Sequence, residues 1–171
     1  MAKITGITTG KIVDFGIKDS MNMGAAMAPA ACDVIYHHLL DFERKPEDYD
    51  KIITGDLGKV GKEILIKLLR EKGIDIAEIH TDCGIEIFDC EEQGTQSGGS
   101  GCGCSAVTLS AYFLKQVEKG ALKRILFVPT GALLSTVSFN EGQSVPGIAH
   151  AIVIEPVSYT HLRAHETTLH L

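Results

Sequence analysis

The segment Ser97-Gly98-Gly99-Ser100-Gly101-Cys102-Gly103-Cys104-Ser105-Ala106 runs from a glycine-rich loop into a helical pattern. Free backbone N–H groups and the dipole at such a helix start favour an anion, a carboxylate as readily as a phosphate. Gly103, Cys104 and Ser105 are therefore candidate ligand contacts. The lysine of a phosphate loop is absent, which weakens a nucleotide reading. Glycines serve equally to let a helix approach a strand closely, and both uses stay open at this level. His80-Thr81-Asp82-Cys83-Gly84 sets an imidazole and a carboxylate, His80 and Asp82, at a candidate strand end. Carboxyl ends of parallel strands line the ligand crevice in open α/β sheets. The connection after Pro129, PTGALLSTVSFNEGQSVPG, is long, and long loops in compact domains are often functional. Its Ser138, Asn140, Glu141, Gln143 and Ser144 supply donors and acceptors without cationic bulk, which suits a small planar or acidic molecule. A wide surface hairpin is the plainer alternative.

Cys102 and Cys104, with Cys83 and Cys90, invite a metal or redox role, but the spacings Cys-x6-Cys and Cys-x-Cys form no paired zinc knuckle and no Cys-x-x-Cys. Buried thiols are the simpler reading. A Cys102 nucleophile favoured by the helix dipole would need a base, for which only His80 and His150 are placed. His150 lies in an apolar run and reads as a hydrogen-bonded core residue. His37 and His38 fall on a helix and read as structural. No metal and no cofactor is implied.

The elements that must position these groups follow from periodicity. Residues 4–17 mix β-branched residues with Gly6, Gly10 and Gly16, giving one bent strand or two short ones. Pro29, in the small-residue stretch 21–31, marks a helix start, and that helix runs to about Phe42. Its small side chains suit close packing against another backbone. Lys51-Ile52-Ile53-Thr54 is a strand. Val60, Ile64, Leu65, Leu68 and Leu69 recur at helical spacing over 59–72, closed by Gly73. A strand is expected within 76–89, where Ile85-Glu86-Ile87-Phe88 alternates. A helix over 104–118, a buried strand over 124–128 and a last strand over 147–155 complete the order. Alternating elements imply a mainly parallel sheet covered by helices, α/β in class. The two consecutive final strands place an antiparallel pairing at one sheet edge.

Composition bounds the function. The chain has 171 residues, 44% apolar and 22% charged, with formal net charge -6. One domain with a real core fits that length. An acidic balance without a basic stripe argues against nucleic acid as a partner. No apolar run approaches the roughly 20 residues of a membrane helix, and MAKITGITTGK lacks a secretory centre, so cytoplasmic, reduced thiols are expected. Residues 157–171 fit no element. Their SYTHLRAHET resembles adapter read-through and stands apart from a domain spanning 1–156, suggesting a lost C-terminus. His161 and His165 there, spaced i, i+4, lack a third ligand.

Four stretches carry a family resemblance: NMGAAMAPAA, ITGDLGKVG, GGSGCGCSA and SFNEGQSVPGIAHA. Over about 4–155 the chain resembles the C-terminal half of the stage V sporulation protein AD family. Those proteins look like thiolases and ketoacyl synthases, built of two similar halves. The resemblance implies one half of a thiolase-like fold, a mixed five-stranded sheet in the order βαβαβαββ. It implies binding of dipicolinic acid (pyridine-2,6-dicarboxylate) during uptake into the developing spore, beside membrane proteins of the same operon, without enzymatic activity. It also implies a peripheral place at the forespore inner membrane. The missing half leaves a helix layer uncovered, so self-association is expected.

Departures from the catalytic relatives support binding over an acyltransferase. The histidine that follows the second strand in ketoacyl synthases is replaced by Thr54-Gly55-Asp56-Leu57. Their Asn or His at the third helix is Cys102-Gly103-Cys104 here. The second cysteine of thiolases gives way to Thr130-Gly131-Ala132-Leu133. With neither base nor nucleophile placed, nucleophilic catalysis is unsupported.

Overall fold

The computed structural model describes residues 1–157. The proposed tail, apart from Val157, lies outside the described residues. Five strands form one mixed sheet: β1 (Ala2–Thr8), β2 (Lys51–Thr54), β3 (His80–Asp82), β4 (Ile125–Val128) and β7 (Ala151–Pro156), in the spatial order β1-β7-β4-β2-β3. β2 runs parallel to β3 and β4, and β7 runs antiparallel to both β4 and β1. A mixed α/β sheet was expected, but its antiparallel strand is interior. β1 returns to pair outside β7 and becomes the edge.

Strand alternation assigns each face. Ile52, Leu126, Val128, Ala151 and Val153 point to one core with α1 (Met23–Asp41) and α2 (Gly58–Glu71). Ile53, Ile125, Phe127 and Ile154 point to the other, with Phe113 and Val117. That second face meets one helical run, made of α4 (Cys104–Thr108), a π-helical turn (Leu109–Phe113) and α5 (Leu114–Glu118). Period-2 burial on both faces is what a covered sheet demands.

α1 begins at Met23 with Asn22 as its cap, so Pro29 sits inside the helix and not at its start. The helix is buried nearly all round, and tertiary packing outweighs the one backbone bond that proline removes. The close approach foreseen from its small residues is real: a Cβ on Gly24 would stand 2.1 Å from the Leu57 carbonyl oxygen. The alternating Ile85–Phe88 pattern is not a strand; α3 (Cys83–Ile87) takes it, because Asp82 caps a helix there through Gly84 N–H. The N-terminal region forms only β1. Residues 9–17 run on irregularly, held by the Val13–Gly147 bridge. The last strand is broken at His150 into β6 (Gly147–Ala149) and β7, and β6 pairs with β5 (Thr130–Ala132) inside the long loop. His150 is exposed, correcting its core assignment; its Nδ1 accepts from Gly10 N–H at 3.1 Å.

His38 is the core histidine. It is fully buried, with Nδ1 at 2.7 Å from Thr8 Oγ1 and Nε2 at 2.7 Å from the Tyr49 hydroxyl, which also accepts from Arg44. Burial first, then Arg44, hold its pKa down to about 4, with Asp41 opposing. A depressed histidine pKa adds stability that is complete above about 6.5 and is lost as pH falls through about 4. Chemical denaturation between those pH values should show a loss on the order of 3 kcal/mol from this group. The His38→Gln variant, weaker at pH 7, should show a shallower fall; an equal fall would remove His38 as the cause.

Candidate functional site

The carboxyl ends of β2 and β3 converge beneath the start of α2, and Asp82 is their hub. It is fully buried. Oδ2 accepts from Thr54 Oγ1 at 2.6 Å and Leu57 N at 2.8 Å; Oδ1 accepts from Gly58 N and Gly84 N, both at 3.0 Å. Burial pushes this carboxyl up, and the four hydrogen bonds pull it back. Asp82 thereby caps its own helix and also the N-terminus of α2, where a negative charge meets the helix dipole. Its acceptor positions are taken up by the protein.

His80 lies two residues earlier on the same face of β3. Its Nε2 sits 3.0 Å from Thr54 Oγ1, giving a chain from imidazole through hydroxyl to carboxylate. Burial, reinforced by Lys62 and Lys51, holds its pKa down to about 3, so the ring is neutral. Lys62 Nζ donates to the His80 carbonyl at 3.3 Å. Thr54, absent from the candidate residues read above, is the link between the two that were present. Its signal lay in the register: β2 and β3 are parallel, with Thr54 opposite Asp82.

The glycine-rich loop is pinned over this hub. A Cβ on Gly98 would stand 2.4 Å from Gly58 Cα, and one on Gly99 would enter the Phe88 ring. Here the glycines serve close backbone approach. Ser100 Oγ donates to Asp56 Oδ2 at 2.6 Å, while Thr130 Oγ1 donates to Asp56 Oδ1 at 3.0 Å. Asp56 therefore ties this loop to the segment after β4. Beyond the pin, Gly101, Cys102 and Gly103 are exposed, and Ser105 is half-buried. The Cys104 amide is used within the turn, donating to Gly101 O at 2.9 Å.

Three of the five thiols are set for packing; Cys90 is half-buried and Cys102 exposed, which corrects the buried reading of those two. Cys83 and Cys104 are buried in the second core; desolvation first, with neighbouring carboxylates, pushes them up to about 12 and about 11. Cys32 is likewise buried, and Cys102 is exposed. Ser138 and Asn140 lie on α6 (Thr136–Asn140) within the long loop. Ser138 is occupied in a reciprocal cap with Ser135, and Asn140 is exposed. The structure thus brings His80, Asp82 and the loop before Cys104 together, and gives Ser138 a capping role of its own.

Removing the hub should be costly. Asp82→Asn turns an acceptor toward two N–H donors with an amide NH2, and a loss of about 3–5 kcal/mol is expected for a broken buried charged network. Thr54→Val strands His80 Nε2–H and should lose about 1–3 kcal/mol. Urea denaturation measures both; a Thr54→Val chain as stable as the parent would deny the relay any structural role.

The family described as Stage V sporulation protein AD (SpoVAD) matches residues 1–155. The Stage V sporulation protein AD of Bacillus subtilis (strain 168) is 45% identical over 153 residues, 90% of this chain and 45% of that protein. The chain thus spans about half the length of that curated relative. Among solved structures, the AbyA1 tetronic acid condensing enzyme matches with a TM-score of 0.46 and 12% identity, over 90% of this chain and 47% of that one. The 3-oxoacyl-[acyl-carrier-protein] synthase III from Aquifex aeolicus VF5 matches at 0.44 and 14%, over 87% and 44%. Motifs, family match and identity agree: the chain belongs to the stage V sporulation protein AD family.

Proposed function

We propose that this sporulation-family chain is one lobe of a protein that binds dipicolinate for uptake into the developing spore and does not transform it. The observation that carries the non-catalytic part is the state of the groups beside the strand ends. The buried thiols Cys83 and Cys104 are held protonated, and a protonated buried thiol is a poor nucleophile. His80 is neutral and its N–H faces Thr54, so it is already engaged. What stays accessible is the exposed turn at Gly101–Gly103 leading into residues 104–118, where amide N–H groups favour a carboxylate. His80, Asp82, Gly103, Cys104, Ser105, Ser138 and Asn140 are the proposed contact set, with Asp82 acting through the backbone it holds. The competing reading is an acyltransferase of the ketoacyl synthase type, with exposed Cys102 as its available thiol.

Calorimetric titration of the chain with dipicolinate should show binding, and Ser105→Ala should weaken it roughly 3- to 10-fold, as the loss of one hydrogen bond does. Incubation with an acyl thioester should leave the chain's mass unchanged. A stable acyl adduct, or turnover of the thioester, would sink the binding reading in favour of the transferase.

The partners we propose are a complementary lobe, which a second copy replaces in the isolated chain, and membrane proteins of the same operon. A five-stranded sheet is about 24 Å wide and a helix about 10 Å. Two helices cover the first face; one run covers the second. Ile4 and Ile7, opposite Ile154 and Ile152 on that second face, are 59% and 61% exposed. Val107 and Tyr112 are exposed on the helical run that covers that face. Among the described residues no helix is long and apolar enough to cross a membrane. The peripheral place at the forespore inner membrane that the family resemblance implies is part of the same proposal. Sedimentation of the isolated chain should show concentration-dependent self-association, and Ile7→Lys should reduce it. A monodisperse monomer with a sharp thermal transition would count against an uncovered face.

A further inference from the structure

The exposed turn Gly101-Cys102-Gly103 has no side-chain anchor of its own. A Cβ on Gly101 would meet nothing within 4 Å, and one on Gly103 would meet only Val107 Cγ2 at 3.9 Å. Among the described residues the three amides of the turn donate to no backbone acceptor. Glycine loses more chain freedom on ordering than any other residue. A stretch holding Gly98, Gly99, Gly101 and Gly103 therefore keeps one geometry only if its ends are fixed. One end of the turn is Cys104, buried in the second core. The other is Ser100.

Ser100 is exposed, so packing does not hold it; its hydroxyl is held by Asp56 Oδ2 at 2.6 Å. Asp56 lies two residues past β2 and is half-buried. It is fixed in turn against the segment after β4. Oδ1 accepts from Thr130 Oγ1 at 3.0 Å, and the Asp56 N–H donates to the same hydroxyl at 3.3 Å. Beside it, Gly55 N–H donates to the Val128 carbonyl at 3.1 Å, and a Cβ on Gly55 would stand 2.9 Å from Thr130 N. Both side-chain partners of Asp56 are neutral hydroxyls, which need its acceptor atoms and not its charge. That charge nonetheless reaches the turn: after burial, the Asp56 carboxylate is the next cause that pushes the Cys104 thiol up to about 11.

We infer that Asp56 is a positioning residue for the ligand contacts of this turn: acting through Ser100, it holds residues 101–103 in one arrangement for a ligand carboxylate, without touching the ligand. This rests on the ligand class proposed above and adds the residue that keeps the turn competent. Two properties of the carboxylate pull in opposite directions. Its oxygens order the turn in advance, and without them the competent geometry is only fractionally populated, which lowers the apparent affinity by that fraction. Its charge opposes the arriving anion. Asp56→Asn separates the two. The amide keeps a carbonyl oxygen for one hydroxyl and offers an N–H to the other, which can turn to accept it, while the charge is gone.

Calorimetric titration with dipicolinate compares the parent chain with variants at the two positions. Asp56→Ala and Ser100→Ala should each weaken binding about tenfold, as the loss of a hydrogen bond to a charged group does. The double variant should bind no more weakly than either single one, because the two residues act as a unit. Asp56→Asn should bind at least as tightly as the parent, an outcome that a need for the charge itself would reverse. Ser100 is exposed, so Ser100→Ala carries the test if Asp56→Ala does not fold. Parent-like affinity in Ser100→Ala, additive losses in the double variant, or a loss in Asp56→Asn equal to that in Asp56→Ala would each overturn the positioning role while leaving the ligand class intact. No heat from the parent chain would remove the ligand class, and the role toward that ligand with it.

Discussion

One buried carboxylate organises the site end of this fold. Asp82 is fully out of water, and an isolated charge there would be prohibitive. It persists because four donors from three segments converge on it: Thr54 at the end of β2, Leu57 and Gly58 at the start of α2, and Gly84 in α3. The three backbone N–H groups among those donors have no other partner among the described residues. The dependence is mutual, so β2, β3, α2 and α3 are fixed relative to one another by a single ion. The glycine-rich loop inherits the arrangement, since Gly98 packs on the same Gly58 whose amide Asp82 holds. Asp56 repeats the device at half-burial, joining Ser100 to Thr130 across the next strand.

The histidines show how strongly local wiring decides chemistry. His38 uses both ring nitrogens, on Thr8 and Tyr49, and so locks the edge strand to α1 and to the turn before β2. His80 uses one nitrogen and leaves the other bare. Both are neutral through burial, yet only the second retains an open hydrogen-bonding position. Residue type alone would treat them alike; the difference comes from Thr54, whose proton is already spent on Asp82.

Much of this was legible in the sequence because it is periodic. The helix over 58–71 and the strands at 51–54 and 125–128 follow from apolar spacing, and the glycine-rich loop into the 104–118 helix follows from composition. The failures share a cause, that short or contact-determined features carry no period. Ile85–Phe88 alternates over too few residues to separate strand from helix, and the cap at Asp82 settled it. Pro29 reads as a start signal, yet packing carries α1 through it. His150 lies in an apolar run, but the chain breaks there between two sheets, and the side chain turns outward. Thr54 reads as a plain strand end, and only the parallel register sets it beside Asp82. Asp56 and Thr130 are 74 residues apart, and nothing local announces their pairing.

The groups gathered at the strand ends are mostly neutral hydrogen-bonding groups. The chain carries net charge -6, and the groups at the strand ends are amides, hydroxyls, a neutral imidazole and carboxylates already satisfied. Arginine forks, the usual means of clamping a dianion, would bind a diacid tightly whatever its protonation state. Fixed amides and hydroxyls instead demand that donors and acceptors match one for one, because each mismatch buries an unpaired group. The rigid hub beneath the glycine-rich loop holds those groups in fixed positions, since Gly58 is both bonded to Asp82 and packed against Gly98.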